Sequence, residues 1–215
     1  LEAGSGLRAG KKLKEAVVPP FLPDTPEVRR DLLDYALELE WADEQLGKVL
    51  DELERTGEME HTLVIATSDN GMPFPGGKGT CGEYGTRVPL ALHWRGRFAP
   101  AKREALVSTA DVGATIFEAT GLSLPGQGAG ASLLRLCERG NEAVDRSAVF
   151  AGRERQNDSD SRENDLGYPV RSIRTRDWLY IQNAEPGRWP GGGGPREVQG
   201  PGSDADQRDD PVAAG

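Results

Sequence analysis

Histidine, cysteine and methionine are scarce in this 215-residue chain, with two of each. His61 and His93 flank or occupy apolar stretches and have no partner at ligand spacing, which argues against an imidazole metal centre or a histidine base and makes both structural. Cys81 and Cys137 match no zinc spacing, and two cysteines cannot build a disulfide framework. Cys81 stands beside Gly82 with no activating base in the local sequence, so it reads as an inert thiol. No apolar run approaches the length of a membrane span. Nor is there a dense basic stripe: 35 acidic against 26 basic residues leave a net charge of −9, which argues against duplex nucleic acid as a partner. The first residues, LEAGSGLRAGKKLKEA, hold neither an initiator methionine nor a signal-peptide core, and the chain reads as preceded by further sequence.

Enough apolar material is present for a core. The hydrophobic fraction of 36% becomes roughly 47% once the 28 glycines are counted and the 4 tyrosines left out, an ordinary globular value. A basic lead-in is followed by the proline-rich 17–26 (VVPPFLPDTP), an extended surface segment. Thr25 as N-cap, Pro26 at the first helical position and Glu27 in the first turn open a helix. Its apolar set Val28, Leu32, Tyr35, Leu39, Ala42, Leu46, Val49 and Leu53 keeps helical spacing to Gly57 and is expected to cover a sheet. Residues 62–67 (TLVIAT) predict a strand buried on both faces and 88–94 (VPLALHW) a second one, an α/β order. A further helix is capped by Ser108 or Thr109, carries Asp111 in its first turn and Val112, Ile116 and Phe117 on its apolar side, ends at Gly121 and packs on the same sheet. The glycine run 126–130 (GQGAG) lacks the spacing and preceding strand of a dinucleotide fingerprint and reads as a flexible loop. A strand near 148–150, a polar excursion over 153–166, and strands 170–175 and 178–182 predict a small antiparallel sheet whose Trp and Leu residues are core. From residue 186 onward apolar content collapses, which predicts disorder.

Chemistry is concentrated in the loop after the first strand, within 67–89 (TSDNGMPFPGGKGTCGEYGTRVP). Asp69 offers carboxylate oxygens and Asn70 an amide oxygen, hard donors suited to calcium or magnesium, and a turn at Gly71 lets both face one ion. Lys78 lies among glycines that let the backbone approach a ligand, and its ammonium is a point charge suited to a tetrahedral anion such as sulfate or phosphate. DNG alone is also a generic turn signal. Glu83 and Arg87, four apart, are spaced to pair and brace the loop.

Taken in order, PPFLPDTPEVRRDLLDY, TLVIATSDNGMPFPGGKGT, EYGTRVPLALHW, STADVGATIFEATGL and DLGYPVRSIRTRDWLYIQNAEPGRWP resemble the C-terminal portion of sulfatases. The similarity is to arylsulfatases and the heparan N-sulfatase branch of the alkaline-phosphatase-like superfamily, over roughly 19–190. The resemblance implies part of an α/β/α sandwich followed by a small antiparallel C-terminal sheet. It divides the chain into a lead-in 1–16, the C-terminal part of the α/β domain 17–140, a small antiparallel subdomain 141–185 and a Gly/Pro-rich tail 186–215. It also implies Asp69 and Asn70 as metal ligands of the active-site calcium, with magnesium the lesser alternative; phosphatase relatives typically place histidine near this point for zinc, whereas an amide oxygen favours a single hard cation. Lys78 is implied as the catalytic and substrate-binding contact to the sulfate group.

Family members further carry a CxPSR-type motif whose cysteine becomes formylglycine, and neither Cys81 (CGEYG) nor Cys137 (CERGN) sits in one. That nucleophile and the remaining calcium ligands are expected upstream of Leu1, so the fragment alone is expected to be inactive. Gln156 stands where many relatives carry a histidine. Arg171 and Arg174 point either to an anionic substrate or to a solvated strand face. The implied partner is a sulfated small molecule or glycan, and the implied location periplasmic, secreted or lysosomal. Two rivals stand beside this expectation: a truncated, non-catalytic protein that binds a cation or a sulfated glycan, and a phosphoester hydrolase of the same superfamily.

Overall fold

The computed structural model describes residues 2–123, 126, 130–139, 146–154 and 167–188. Gln156, the polar excursion from 155 to 166, most of the 126–130 glycine run and the stretch from 189 onward lie outside these residues.

Helix α1 spans Ser5–Arg8 within the lead-in, a short element that the sequence did not announce. The long helix α2 spans Pro26–Thr56. Its bounds are set by local chemistry: Thr25 Oγ1 accepts the N–H of Val28 at 3.3 Å, Pro26 supplies the fixed first φ, and Gly57 closes the helix in the left-handed region at φ 75°. Its fully buried residues lie in the N-terminal half. Leu32 and Leu33 are buried with Ala16, against Leu13, Val18, Val28, Met72 and Phe74. The Asp34 carboxylate accepts the N–H groups of Gly4 and Gly6 at 2.7 Å each. Arg29 donates to the carbonyls of Leu13 and Ala16 at 3.0 Å and to the Asp24 carboxylate, stapling the proline-rich segment to the helix. The expected sheet-covering stripe is thus corrected: Leu39 and Val49 are more than half exposed. The apolar set instead holds the lead-in and the central loop.

Strand β1, Val64–Thr67, pairs antiparallel with β2, Leu90–His93, in the register Val64↔His93 to Thr67↔Leu90. The first three residues of β1 are half-buried and Thr67 is exposed, so the strand is not buried on both faces as expected. An apolar run cannot by itself declare the direction of its partner. Antiparallel pairing makes residues 68–89 a closed excursion, sealed at its base by Thr67 Oγ1 donating to Pro89 O at 2.8 Å. A one-turn helix, α3 (Glu83–Thr86), sits within it.

Helix α4, Thr109–Ala119, is capped by Ser108 in a capping box with Asp111. Its buried face is Asp111, Ala114 and Thr115, whereas Ile116 of the expected apolar side is about half exposed. The correction has a polar cause. Fully buried Asp111 accepts the N–H groups of Ser108 and Ala131 at 2.7 and 2.8 Å and both Arg146 guanidinium nitrogens at 2.6 and 2.8 Å. Thr115 Oγ1 donates to Asp111 O at 2.6 Å and accepts the Leu133 N–H at 2.9 Å. Helix α4 is thereby joined to the segment leading into α5, Leu134–Arg139, rather than to a sheet.

Strands β3 (Val149–Arg153), β4 (Val170–Arg174) and β5 (Leu179–Asn183) form the antiparallel sheet that the C-terminal pattern predicts, in the order β3-β4-β5. Arg153, Val170, Ser172 and Arg174 lie on the side toward the central loop. Phe150, Tyr180 and Trp178 are on the opposite, open side; Trp178, expected in the core, is 78% exposed. Among the described residues no helix is long and apolar enough to cross a membrane.

Burial pushes the Asp111 carboxyl up, but hydrogen bonds from Arg146, Ser108 and Ala131 outweigh this and hold it below the ordinary carboxylate value. A depressed folded pKa stabilises fully above the unfolded value near about 3.9 and loses its contribution as pH falls through the folded value. Replacing Arg146 by Ala leaves the buried carboxylate uncompensated and is expected to cost about 3–5 kcal/mol at pH 7 by chemical denaturation, with a smaller deficit at acid pH.

Candidate functional site

The excursion 68–89 is a backbone knot. As the chain leaves β1, Ser68 Oγ donates to Asn70 O at 2.8 Å and Asn70 Nδ2 donates to Gly71 O at 2.9 Å. Gly71 N–H then donates to Gly85 O at 3.1 Å. A Cβ at Gly71 would lie 1.8 Å from Tyr84 O, so glycine is required by close approach of two backbones. Two further crossings repeat the theme: a Cβ at Gly77 would meet Met72 O at 2.3 Å, and one at Gly85 would meet Thr80 O at 2.4 Å and Gly77 O at 2.5 Å. The knot returns Lys78 to the start of the loop, where its N–H donates to Met72 O at 2.8 Å.

Among the described residues, three side-chain ends of this loop have no partner. Asp69 is exposed and has no hydrogen bond or ion pair among the described residues. The amide nitrogen of Asn70 is spent on Gly71, which leaves its oxygen without a partner. Lys78 is exposed and its ammonium is likewise unpaired. The oxygens of Asp69 and Asn70 are donors suited to a hard cation. No group of three His, Cys, Asp or Glu able to hold a metal occurs among the described residues, so these two supply only part of a shell of about six to eight oxygens.

Neighbouring segments grip the knot from both ends of the chain. Phe21, from the proline-rich segment, stacks on Tyr84 with centroids 4.4 Å apart and lies against Gly76. Phe74 meets Tyr35 of α2 edge-on at 5.8 Å. The expected Glu83–Arg87 brace is present at 3.0 Å, and Glu83 also pairs with Arg174 at 3.3 Å. Arg171 pairs with Glu154 at 2.6 Å, so both hairpin arginines have carboxylate partners within the chain. Cys81 is buried, and burial pushes its thiol up despite Arg153 and Arg171 nearby, in keeping with an inert role. His61, in the turn at Met59–His61, and His93, at the end of β2, are both exposed, and among the described residues neither makes one of the loop's hydrogen bonds. Sequence reasoning missed Arg153, whose guanidinium donates to Gly79 O across 74 positions, because no local pattern marks so distant a partner.

The sulfatase family profile matches residues 11–122 of the chain. This chain belongs to the sulfatase family. It is 32% identical over 178 residues to human N-sulphoglucosamine sulphohydrolase, covering 79% of this chain and 34% of that enzyme. Among solved structures, it resembles one in complex with its substrate D-glucosamine-2-N,6-O-disulfate (TM-score 0.52, 24% identity, 76% of this chain and 35% of that one). It also resembles a phosphonate monoester hydrolase from Silicibacter pomeroyi (TM-score 0.59, 21% identity, 84% and 38%). The structural likenesses establish the alkaline-phosphatase-like α/β fold. The chain spans about a third of the length of the curated sulfatases it matches.

If backbone contact is what demands glycine, Gly71→Ala should destabilise by about 1–3 kcal/mol or more, as forced overpacking does. Gly47, in the middle of α2 with open space around it, is the control: Gly47→Ala should stabilise by about 0.5–1 kcal/mol. Denaturant midpoints of the two variants moving in the same direction would contradict this.

Proposed function

We propose that this chain contributes part of the active site of an enzyme that hydrolyses sulfate esters or N-sulfates on a small molecule or glycan. Asp69 and Asn70 would hold a calcium ion, and Lys78 would bind the sulfate group. The observation that carries this reading is the set of side-chain ends on Asp69, Asn70 and Lys78 that have no partner among the described residues, within one loop of a sulfatase-family chain.

The chemistry follows from the residue types. The Asn70 amide nitrogen is spent on Gly71 O, which leaves its oxygen, next in sequence to the Asp69 carboxylate, as a donor that fits a hard cation. A bound calcium ion would supply positive charge toward the sulfate oxygens. Lys78 donates hydrogen bonds and charge to those oxygens as negative charge builds on them, an interaction that gains strength in the transition state. Its backbone is already fixed through Met72 O, so little reorganisation is needed when substrate arrives. The nucleophile would be a formylglycine made from a cysteine other than Cys81 (CGEYG) or Cys137 (CERGN), since neither stands in a CxPSR-type motif. Support for a sulfated amino sugar as substrate comes from the relative named for N-sulphoglucosamine and the structure bound to a glucosamine disulfate.

In the protein that carries this chain, Lys78→Ala is expected to lower kcat/KM on an aryl sulfate by roughly 10²-fold or more, the scale of removing one electrostatic stabiliser. Asp69→Ala should raise the calcium concentration needed for half-maximal turnover. Faster turnover of the matching phosphate ester would favour the phosphoester rival, and unchanged activity in Lys78→Ala would overturn the assignment of the lysine.

A further inference from the structure

We propose that Arg153 is a positioning residue for Lys78, acting through the carbonyl of Gly79. This deepens the functional reading above and rests on Lys78 binding the sulfate group. Lys78 is held by its backbone on both sides. Its own N–H donates to Met72 O at 2.8 Å, and the next carbonyl along the chain, Gly79 O, accepts a hydrogen bond from the Arg153 guanidinium. Gly79 sits in the left-handed region at φ 76°, a conformation that sets the direction of this peptide. Without the Arg153 donor the Gly79 carbonyl loses this partner, and the lysine-bearing turn is left to Met72 O and to the Thr80 bonds with Gly77 O, within a run of glycines whose backbone freedom is the largest of any residue.

Arg153 is suited to the task because its own place is well determined. It ends β3, in register with Val170 of β4, and its guanidinium lies over the Tyr168 ring at 5.4 Å. Tyr168 is in turn fixed by its N–H donating to Glu154 O at 2.7 Å and by Asn183 Nδ2 donating to its hydroxyl. Arg153 thereby links the C-terminal sheet to the lysine-bearing turn, beside the Arg174–Glu83 pair that reaches α3. Arg153 is not placed to touch substrate in this account; a displacement of the lysine by about 1 Å is enough to cost up to about 10²-fold in rate.

The test is a double-mutant cycle in the protein that carries this chain, with Arg153→Met, which keeps a long apolar stem against Tyr168 but no donor, and Arg153→Lys, which keeps a donor. Arg153→Met is expected to lower kcat on an aryl sulfate by about 10-fold, and Arg153→Lys to remain within about threefold of the parent. In a Lys78→Ala background, Arg153→Met should cost less than about twofold further. Equal losses in the Met and Lys variants, or losses that multiply with that of Lys78→Ala, would overturn the positioning role while leaving the lysine's assignment intact. Unchanged turnover in Lys78→Ala alone would overturn both.

Discussion

Backbone lying directly on backbone, at Gly71, Gly77 and Gly85, is the constraint on which the rest of the molecule depends. At each crossing a Cβ would fall within 2.5 Å of a carbonyl oxygen, so the loop can close only where side chains are absent. Closing it brings Gly71 N–H to Gly85 O and Lys78 N–H to Met72 O. The side-chain ends left without a partner among the described residues are a carboxylate, an amide oxygen and an ammonium. A site built this way is organised before substrate arrives, and that lowers the entropic cost of binding.

The surrounding elements serve this loop. The N-terminal half of α2 packs Leu32 and Leu33 beneath Met72 and Phe74, and the proline-rich segment lays Phe21 across Gly76 and Tyr84. The antiparallel β1–β2 ribbon brings the ends of the excursion together, and the three-stranded sheet reaches it through Arg153 and Arg174. A separate polar cluster around buried Asp111 knits α4 to the chain that follows. The exposed Phe150, Trp178 and Tyr180 of the C-terminal sheet and the exposed Leu39 and Val49 of α2 lie outside these contacts.

Features governed by neighbouring residues were legible in the sequence. Thr25, Pro26 and Gly57 bound α2, Ser108 and Asp111 open α4, the terminal hairpin follows its alternation, and Asp69, Asn70 and Lys78 stand out as polar groups among glycines. Features governed by distant residues were not. Apolar periodicity marks a face but not what covers it, so Leu39, Ile116 and Trp178 are exposed where a core was expected. The TLVIAT run could not reveal that its partner runs antiparallel. The Arg153–Gly79 link and the Asp111–Arg146 pair join positions with no shared local pattern, and only the folded chain brings them together.

The most direct measurement is a crystal structure of the protein that carries this chain, grown with calcium and sulfate. The account predicts the Asp69 carboxylate and the Asn70 amide oxygen bonded directly to one calcium ion, with the Lys78 ammonium hydrogen-bonded to a sulfate beside it. A calcium ion held elsewhere, with Asp69 and Asn70 turned to solvent and Lys78 remote from the sulfate, would contradict it.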